Sequence, residues 1–438
     1  MKLKERLRSY PKYKIIGRVK SIKGNTVEAI MPEVSIGDIC FIDGHIESQV
    51  IGFNDKYTIL MSYQDIDGVK VDSPVVLSYT KGNVLVGEDL LGCVLDPFGK
   101  PLNRDKVNYS NSYYLKLESV NPLERERIKE VLDVGIKVIN SLFTVGKGQR
   151  IGIIAPAGVG KSTLLGMLAR YTDSDVNVIA LIGERGREVR EFIEDNLGEE
   201  GLKKSVVVVA TSDMSPLAKI RAVLTSLIIA KYFSDKKKNV LYLLDSLTRV
   251  AMAQREIGLS AGEPPTTKGY TPSVFTLMPK IIEQAGNFKD RGSITGIYTV
   301  LMEGEEISTD PIADAAVSFL DGHIVLSRQI ANKRVYPAVD ILKSISRLTP
   351  QLVDEEILKY QSIVINLESK YREMEDMINL GLYKEGTSKE VDLAIKMHPV
   401  IEDFIKQGIN EKFDFQSSVE KLKNVINYYL KIGGEIKW

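Results

Sequence analysis

The stretch "RIGIIAPAGVGKSTLLGMLARY", residues 150–171, restricts the possible folds more than any other part of the chain. An apolar run of strand length leads into a Pro/Ala/Gly turn, and the turn leads into residues with helical periodicity. Gly158 and Gly160 let the backbone curl so that its N–H groups point inward, and the helix adds the positive end of its dipole. Gly158, Val159, Gly160, Lys161, Ser162 and Thr163 are the expected nucleotide-binding residues. Lys161 supplies a mobile charge for the β- and γ-phosphates, and Ser162 a hydroxyl for Mg²⁺. A glycine-rich turn ending in Lys-Ser by chance is the alternative, and the strand-loop-helix context removes most such matches. "VLYLLDS" then places Asp245 after another apolar run, as a carboxylate on the Mg²⁺ side rather than an acid that merely meets solvent. Together these residues imply ATP with Mg²⁺.

The same type of run recurs as "VNVIALIG", "SVVVVATS", "NVLYLLDS" and "SITGIYTVL", with helical stretches such as "PLAKIRAVLTSLIIAKYF" between them. Runs without a polar face are what a parallel sheet buried on both sides requires, so an α/β domain is expected over 125–348. Before it, "IIGRVKSI", "TVEAIM", "ICFIDG", "ESQVIGF", "YTILMS" and "PVVLSY" are short strands separated by Gly-Asn, Gly-Asp and Asp-Gly turns. They predict a small antiparallel barrel within 1–95, and "GEDLLGCVLDPFGKPLN" ends the region with a turn at Asp96, Pro97 and Gly99. The polar "NRDKVNYSNSYY" reads as part of a linker over 96–124, and 349–438 as a helical domain with stops at Gly381 and Gly408. "ESKYREMEDM" reads as a solvated helix face.

Composition narrows the function classes. Lysine and arginine together number 58, as do aspartate and glutamate, so no global basic charge favours nucleic acid. Two cysteines, Cys40 and Cys93, make no zinc cluster and point to a reducing compartment. The charged start "MKLKERLRSYPKYK" lacks the apolar core of a secretory signal, and no apolar run approaches the roughly 20 residues that span a bilayer. An intracellular protein is expected. His45, His323 and His398 are dispersed and suggest neither metal nor proton relay.

"LIGERGREVREFIE", "VVVVATSDMSPLAKIRA", "LLDSLTRVAMAQREIGLSAGEPPTTKGYTPSVF", "LDGHIVLSR" and "YPAVDILKSISR" resemble the ATPases that energise type III protein export. That family serves the bacterial flagellum and the injectisome and is similar to the catalytic β subunit of rotary ATP synthases. The resemblance implies a RecA-like P-loop core between an N-terminal β-barrel and a C-terminal helical domain, working as a homohexameric ring, with a monomer at rest left open. It makes Glu184 the catalytic glutamate that polarises the attacking water, and Arg185 a basic residue close to the phosphates. It makes Arg347 the arginine reaching into the neighbouring subunit's site, and Tyr336 the residue that packs on adenine. A stator or regulator protein at the N-terminal segment is implied, where "LKERLRSY" offers about two helical turns. So are a central stalk protein and substrate chaperones at the C-terminal domain, an export gate at the membrane, and a cytoplasmic location at the membrane's inner face. Pro156 and Ala157 stand where many members carry small Gly/Ser residues, and Pro156 precedes the part of the loop that cradles phosphate.

The flagellar system is the expected one, with the injectisome as the alternative. A non-catalytic ring subunit would keep the P-loop and lack Glu184. A RecA-like RNA translocase would carry aromatic and basic stacking platforms in its barrel, and "GRVKSIKGNTVEAIMPEV" has no such cluster.

Overall fold

The structure is a computed structural model that describes residues 14–78, 82–304 and 306–436. The N-terminal segment expected to bind a stator partner lies outside the described residues.

Six antiparallel strands close the N-terminal barrel. Their spatial order is Ile16–Lys23, Thr26–Ile30, Thr58–Ser62, Ile46–Phe53, Ile39–Ile42 and Pro74–Leu77, and the last pairs back with the first. Alternate residues of Ile46–Phe53 turn inward, the period-2 pattern that lets Ile46, Val50, Leu60 and Val75 fill the barrel. Because Pro74–Leu77 closes the ring, no barrel edge is left for the segment that follows. Asn83–Val86 instead pairs with Asn111–Tyr114, and Val94–Leu95 joins the edge of the central sheet. Of the barrel domain expected over 1–95, Asn83–Val86 and Val94–Leu95 thus lie outside the ring, and the linker expected over 96–124 carries the strand Asn111–Tyr114. The turn at Asp96 is present, its Oδ1 accepting from the Phe98 and Lys100 amides at 2.8 Å each.

The central sheet has eight strands. From edge to edge they are Ile345–Ser346, Gly322–Val325, Arg150–Ala155, Ile294–Leu301, Val240–Asp245, Val176–Glu184, Ser205–Thr211 and Val94–Leu95. All pairs are parallel except the first. The five long strands are the five apolar runs, and helices on both faces bury them. The helix Pro216–Asp235 shows why these segments begin where they do. Ser215 caps it by accepting from the Ala218 amide, and Pro216 stands at its first position, where no N–H is needed.

The C-terminal helices Glu355–Asn379, Lys389–Ile405 and Phe415–Lys431 pack into the same core as the P-loop side of the sheet. Polar bonds fix the join: Gln361 Nε2 donates to the Ser141 carbonyl at 2.8 Å, and Asn140 Nδ2 to the Phe413 carbonyl at 3.1 Å. "ESKYREMEDM" is not simply a solvated face. Arg372 donates to Asp340 at 2.9 Å and to Glu368 at 3.1 Å, and Glu368 bonds His398 at 2.9 Å, so one side of this helix is sewn to the core. The barrel docks through Arg221, which bonds Glu47 at 2.9 Å and lies 4.2 Å over the Phe98 ring. Among the described residues no helix is long and apolar enough to cross a membrane.

Candidate functional site

The carboxyl ends of the parallel strands meet at one edge of the sheet, where α/β folds bind ligands. Arg150–Ala155 ends there in the loop 156–160, and the helix Lys161–Tyr171 starts directly after it. Gly158 at φ +81° and Gly160 at φ +87° hold the left-handed conformations the curl needs. Between them Val159 turns its side chain into the core, 1 % exposed, and anchors the loop. Ser162 is exposed and Thr163 half-buried, at the first turn of the helix.

Lys161 crosses from this loop to two acids on neighbouring strands. Its Nζ hydrogen-bonds Asp245 Oδ1 and stands 3.7 Å from Glu184 Oε1. Asp245 is 3 % exposed at the end of its strand, and Leu181 pairs beside it, so Glu184 closes its own strand three residues further on. Burial and the adjacent negative charge of Asp245 push the Glu184 carboxyl up to about 7, against the opposing pull of Lys161. The result is a carboxyl group with a proton affinity suited to exchange near neutral pH.

Tyr336 comes to the same loop from a distant part of the chain. It is 43 % exposed, and a Cβ built on Gly160 would stand 3.6 Å from its Cδ1 and Cε1 atoms. The ring thus flanks the cleft above the phosphate loop. Arg185 is not brought to the acids. It is the residue before the short helix Gly186–Glu191, so its side chain runs outward along the first turn to Glu188, at 3.4 Å.

Arg347 lies at the far edge of the sheet. It follows Ile345–Ser346, whose Ser346 pairs with Gly322 near the start of the strands, and its amide donates to the Asp321 carbonyl at 2.9 Å. The loop begins roughly 15 Å up the neighbouring strand at about 3.3 Å per residue. An arginine there cannot serve the phosphate site of its own chain.

The chain matches the family model for the nucleotide-binding domain of the ATP synthase alpha/beta family over residues 135–346. It is 48 % identical to the flagellum-specific ATP synthase of Aquifex aeolicus, over 94 % of this chain and 94 % of that protein. The chain belongs to the flagellum-specific ATP synthase family. Residues 353–424 also match the C-terminal domain model of the type III secretion ATPase EscN. The solved structure of assembled EscN from enteropathogenic E. coli has a TM-score of 0.89 and 38 % identity, covering 94 % of this chain and 100 % of that one. EscN with its central stalk EscO gives 0.85 at 38 % identity and the same coverage. Barrel, nucleotide-binding sheet and helical region are therefore the fold of this family of ATPases.

Two polar residues of this flagellum-specific ATP synthase fold escaped the sequence reading. Thr299 donates to Asp245 Oδ1 at 2.7 Å from the strand that stands between the P-loop strand and the Asp245 strand. Its hydroxyl is one of four inside "SITGIYTVL", with Ser293, Thr295 and Tyr298, and only the strand order shows that Thr299 is the one that faces Asp245. Arg249, four residues after Asp245, lies against Gly183, where an added Cβ would come within 2.9 Å of the Arg249 Cβ. With Ala157, Thr248, Arg255 and Lys268 it lines a cavity of about 390 Å³ adjoining the loop.

Proposed function

We propose that this chain hydrolyses ATP with Mg²⁺ in a homohexameric ring that energises export of protein substrates by the flagellar type III apparatus. The observation that carries the reading is the cluster of Lys161, Asp245 and Glu184 at the mouth of the P-loop. The donors present suit Mg²⁺: an exposed Ser162 hydroxyl and the Asp245 carboxylate are hard oxygens. Among the described residues no group of three His, Cys, Asp or Glu forms a protein-only cage. Few protein ligands beside phosphate oxygens is how this ion is commonly held. When bound it would neutralise charge on the β- and γ-phosphates.

The chain's own residues do the rest. The amides of Gly158, Val159, Gly160, Lys161, Ser162 and Thr163 surround the phosphates, and Lys161 turns from Asp245 to the β- and γ-oxygens. Tyr336 stacks on the adenine. Glu184 orients a water in line with the γ-phosphorus and takes its proton as the oxygen attacks, so that ADP leaves with the bridging oxygen. Arg347 of one subunit enters the site of the next and balances charge in the transition state. The far-edge position of Arg347 supports this reading, since a ring brings that edge to a neighbour's strand ends.

Flagellar service is favoured over injectisome service by the higher identity to the Aquifex protein, 48 % against 38 % for EscN. A central stalk protein at the C-terminal helices is the partner the EscN–EscO assembly suggests. Export chaperones, a stator protein and an export gate at the inner face of the cytoplasmic membrane complete the setting, with the ATPase itself cytoplasmic and no nucleic acid involved.

Glu184→Gln tests the chemistry. ATP should still bind, while turnover falls by about 10²–10⁴, the usual contribution of a positioned general base. Hydrolysis at the unmodified rate would remove Glu184 from the mechanism. In cells lacking the gene, the unmodified chain should restore flagellar filaments and Glu184→Gln should not.

A further inference from the structure

Gln407 lies in the loop between the helices Lys389–Ile405 and Phe415–Lys431, 5 % exposed, and spends its whole amide on backbone. Its Oε1 accepts from the Lys137 amide at 2.7 Å, and its Nε2 donates to the Gly135 and Glu411 carbonyls at 2.9 Å each. Its own N–H donates to the Tyr336 carbonyl at 2.9 Å. One residue thus ties the backbone of Tyr336 to the segment 135–137. That segment abuts the P-loop helix: a Cβ on Gly135 would fall 2.3 Å from the Cβ of Tyr171, the helix's last residue. Two residues on, the Ile409 carbonyl accepts from Tyr171 Oη at 2.7 Å and from Arg170 Nη2 at 2.8 Å.

The loop 406–411 therefore grips both walls of the cleft, the P-loop helix at its carboxyl end and the Tyr336 backbone. The Tyr336 ring in turn flanks Gly160 at the opposite end of that helix. We propose that Gln407 is a positioning residue that sets the Tyr336 ring against the phosphate loop, so that displacement of the C-terminal helices changes affinity for the base of ATP while leaving the phosphate chemistry intact. The inference rests on the reading above that Tyr336 packs on the base. Carbonyl and amide partners favour it over a purely electrostatic role, because no charge is involved and every bond fixes a backbone position. A buried side-chain amide with three bonds also has no slack: removing it leaves the Lys137 N–H and the Glu411 carbonyl to find other partners. The Gly135 carbonyl is left with the Phe413 amide at 3.2 Å, while the main-chain bond to Tyr336 is no longer tied to 135–137.

The test compares a ligand that has a base with one that has none, on the full chain with Mg²⁺. For Gln407→Ala the Kd for ATP should weaken by about tenfold, within the range that single stacking contacts carry. The Kd for inorganic tripolyphosphate should stay within about twofold, and KM for ATP should rise while kcat changes by less than about twofold. Tyr336→Ala should show the same selective loss, and adding Gln407→Ala to it should weaken ATP no further. Gln407→Glu keeps the acceptor for Lys137 and loses both donated bonds, so an intermediate loss is expected, and it serves if the alanine variant does not fold. Equal weakening for ATP and tripolyphosphate, or no weakening of ATP, overturns the role of Gln407. If Tyr336→Ala itself leaves ATP binding unchanged, the stacking reading fails instead.

Discussion

Glu184 and Asp245 are both acids at strand ends, and their surroundings separate their roles. Asp245 is nearly fully buried and takes hydrogen bonds from Thr299 and Lys161. Glu184 sees the negative charge of Asp245 and lies 3.7 Å from Lys161, and its carboxyl is pushed up to about 7. The sign of the consequence follows directly. Below about 7 the group is neutral and cannot accept a proton from water; above it the group is ionised and can. For the free enzyme, kcat/KM for ATP should fall about tenfold per unit on the acid side and level off above about pH 7. A profile level from about pH 6 to about pH 8 would contradict this role. The exposed pairs nearby are of another kind. Arg187–Glu191 at 3.0 Å and Arg190–Glu194 at 2.8 Å lie one helical turn apart on the surface and add little stability. Val189 and Phe192 turn into the core beneath them.

At the scale of elements, the P-loop helix has to satisfy both phosphate chemistry at its start and close packing along its side. Gly166 sits in its middle, where a Cβ would stand 2.6 Å from the Asn196 Cβ and 2.7 Å from the Asn196 carbonyl oxygen. Asn196 belongs to the irregular helical turn Phe192–Leu197 that follows Glu184's strand and helix, so this glycine keeps two functional segments in register. Gly166→Ala should gain up to about 1 kcal/mol of helix propensity. It should lose more through overpacking against backbone that cannot yield, about 1–3 kcal/mol. A net loss of about 1–2 kcal/mol in urea unfolding is expected, and a stabilised variant would show that Asn196 moves aside. The long buried strands were legible because each is an uninterrupted apolar run. Val94–Leu95 and Ile345–Ser346 were not, because a two-residue edge strand has no period to read.

For the whole molecule, the sheet separates Lys161, at one end of the strands, from Arg347, at the other. The arrangement leaves each chain with a P-loop lysine and an Arg347 that cannot meet. Arg347→Ala should therefore lose most activity alone, of order 10³-fold or more. Mixed with Lys161→Ala subunits it should recover part of it, because some interfaces then pair an intact loop with an intact arginine. No recovery at any ratio, with mixed rings shown to form, would place Arg347 outside the mechanism. The same scale explains why three C-terminal helices belong to the catalytic unit. They share its core, and through Arg372, Glu368 and Gln407 they hold the loop that carries Tyr336.

By itself the sequence determined the strand-loop-helix at 150–171, the acids at the ends of two apolar runs, the barrel and the helical C-terminus. These are local properties: glycine conformation, hydrophobic period and the chemistry of residues adjacent in the chain. What the tertiary structure decided is everything set by strand order and domain contact. It inserted Thr299 between the P-loop and Asp245, turned Arg185 outward, carried Arg347 to the far edge, and drew Val94–Leu95 out of the barrel into the central sheet. No periodicity encodes which strand lies beside which, since that choice minimises exposed edges and apolar area over the whole chain. Gln407, polar and in a loop, reads as surface until 135–137 and Tyr336 close around it.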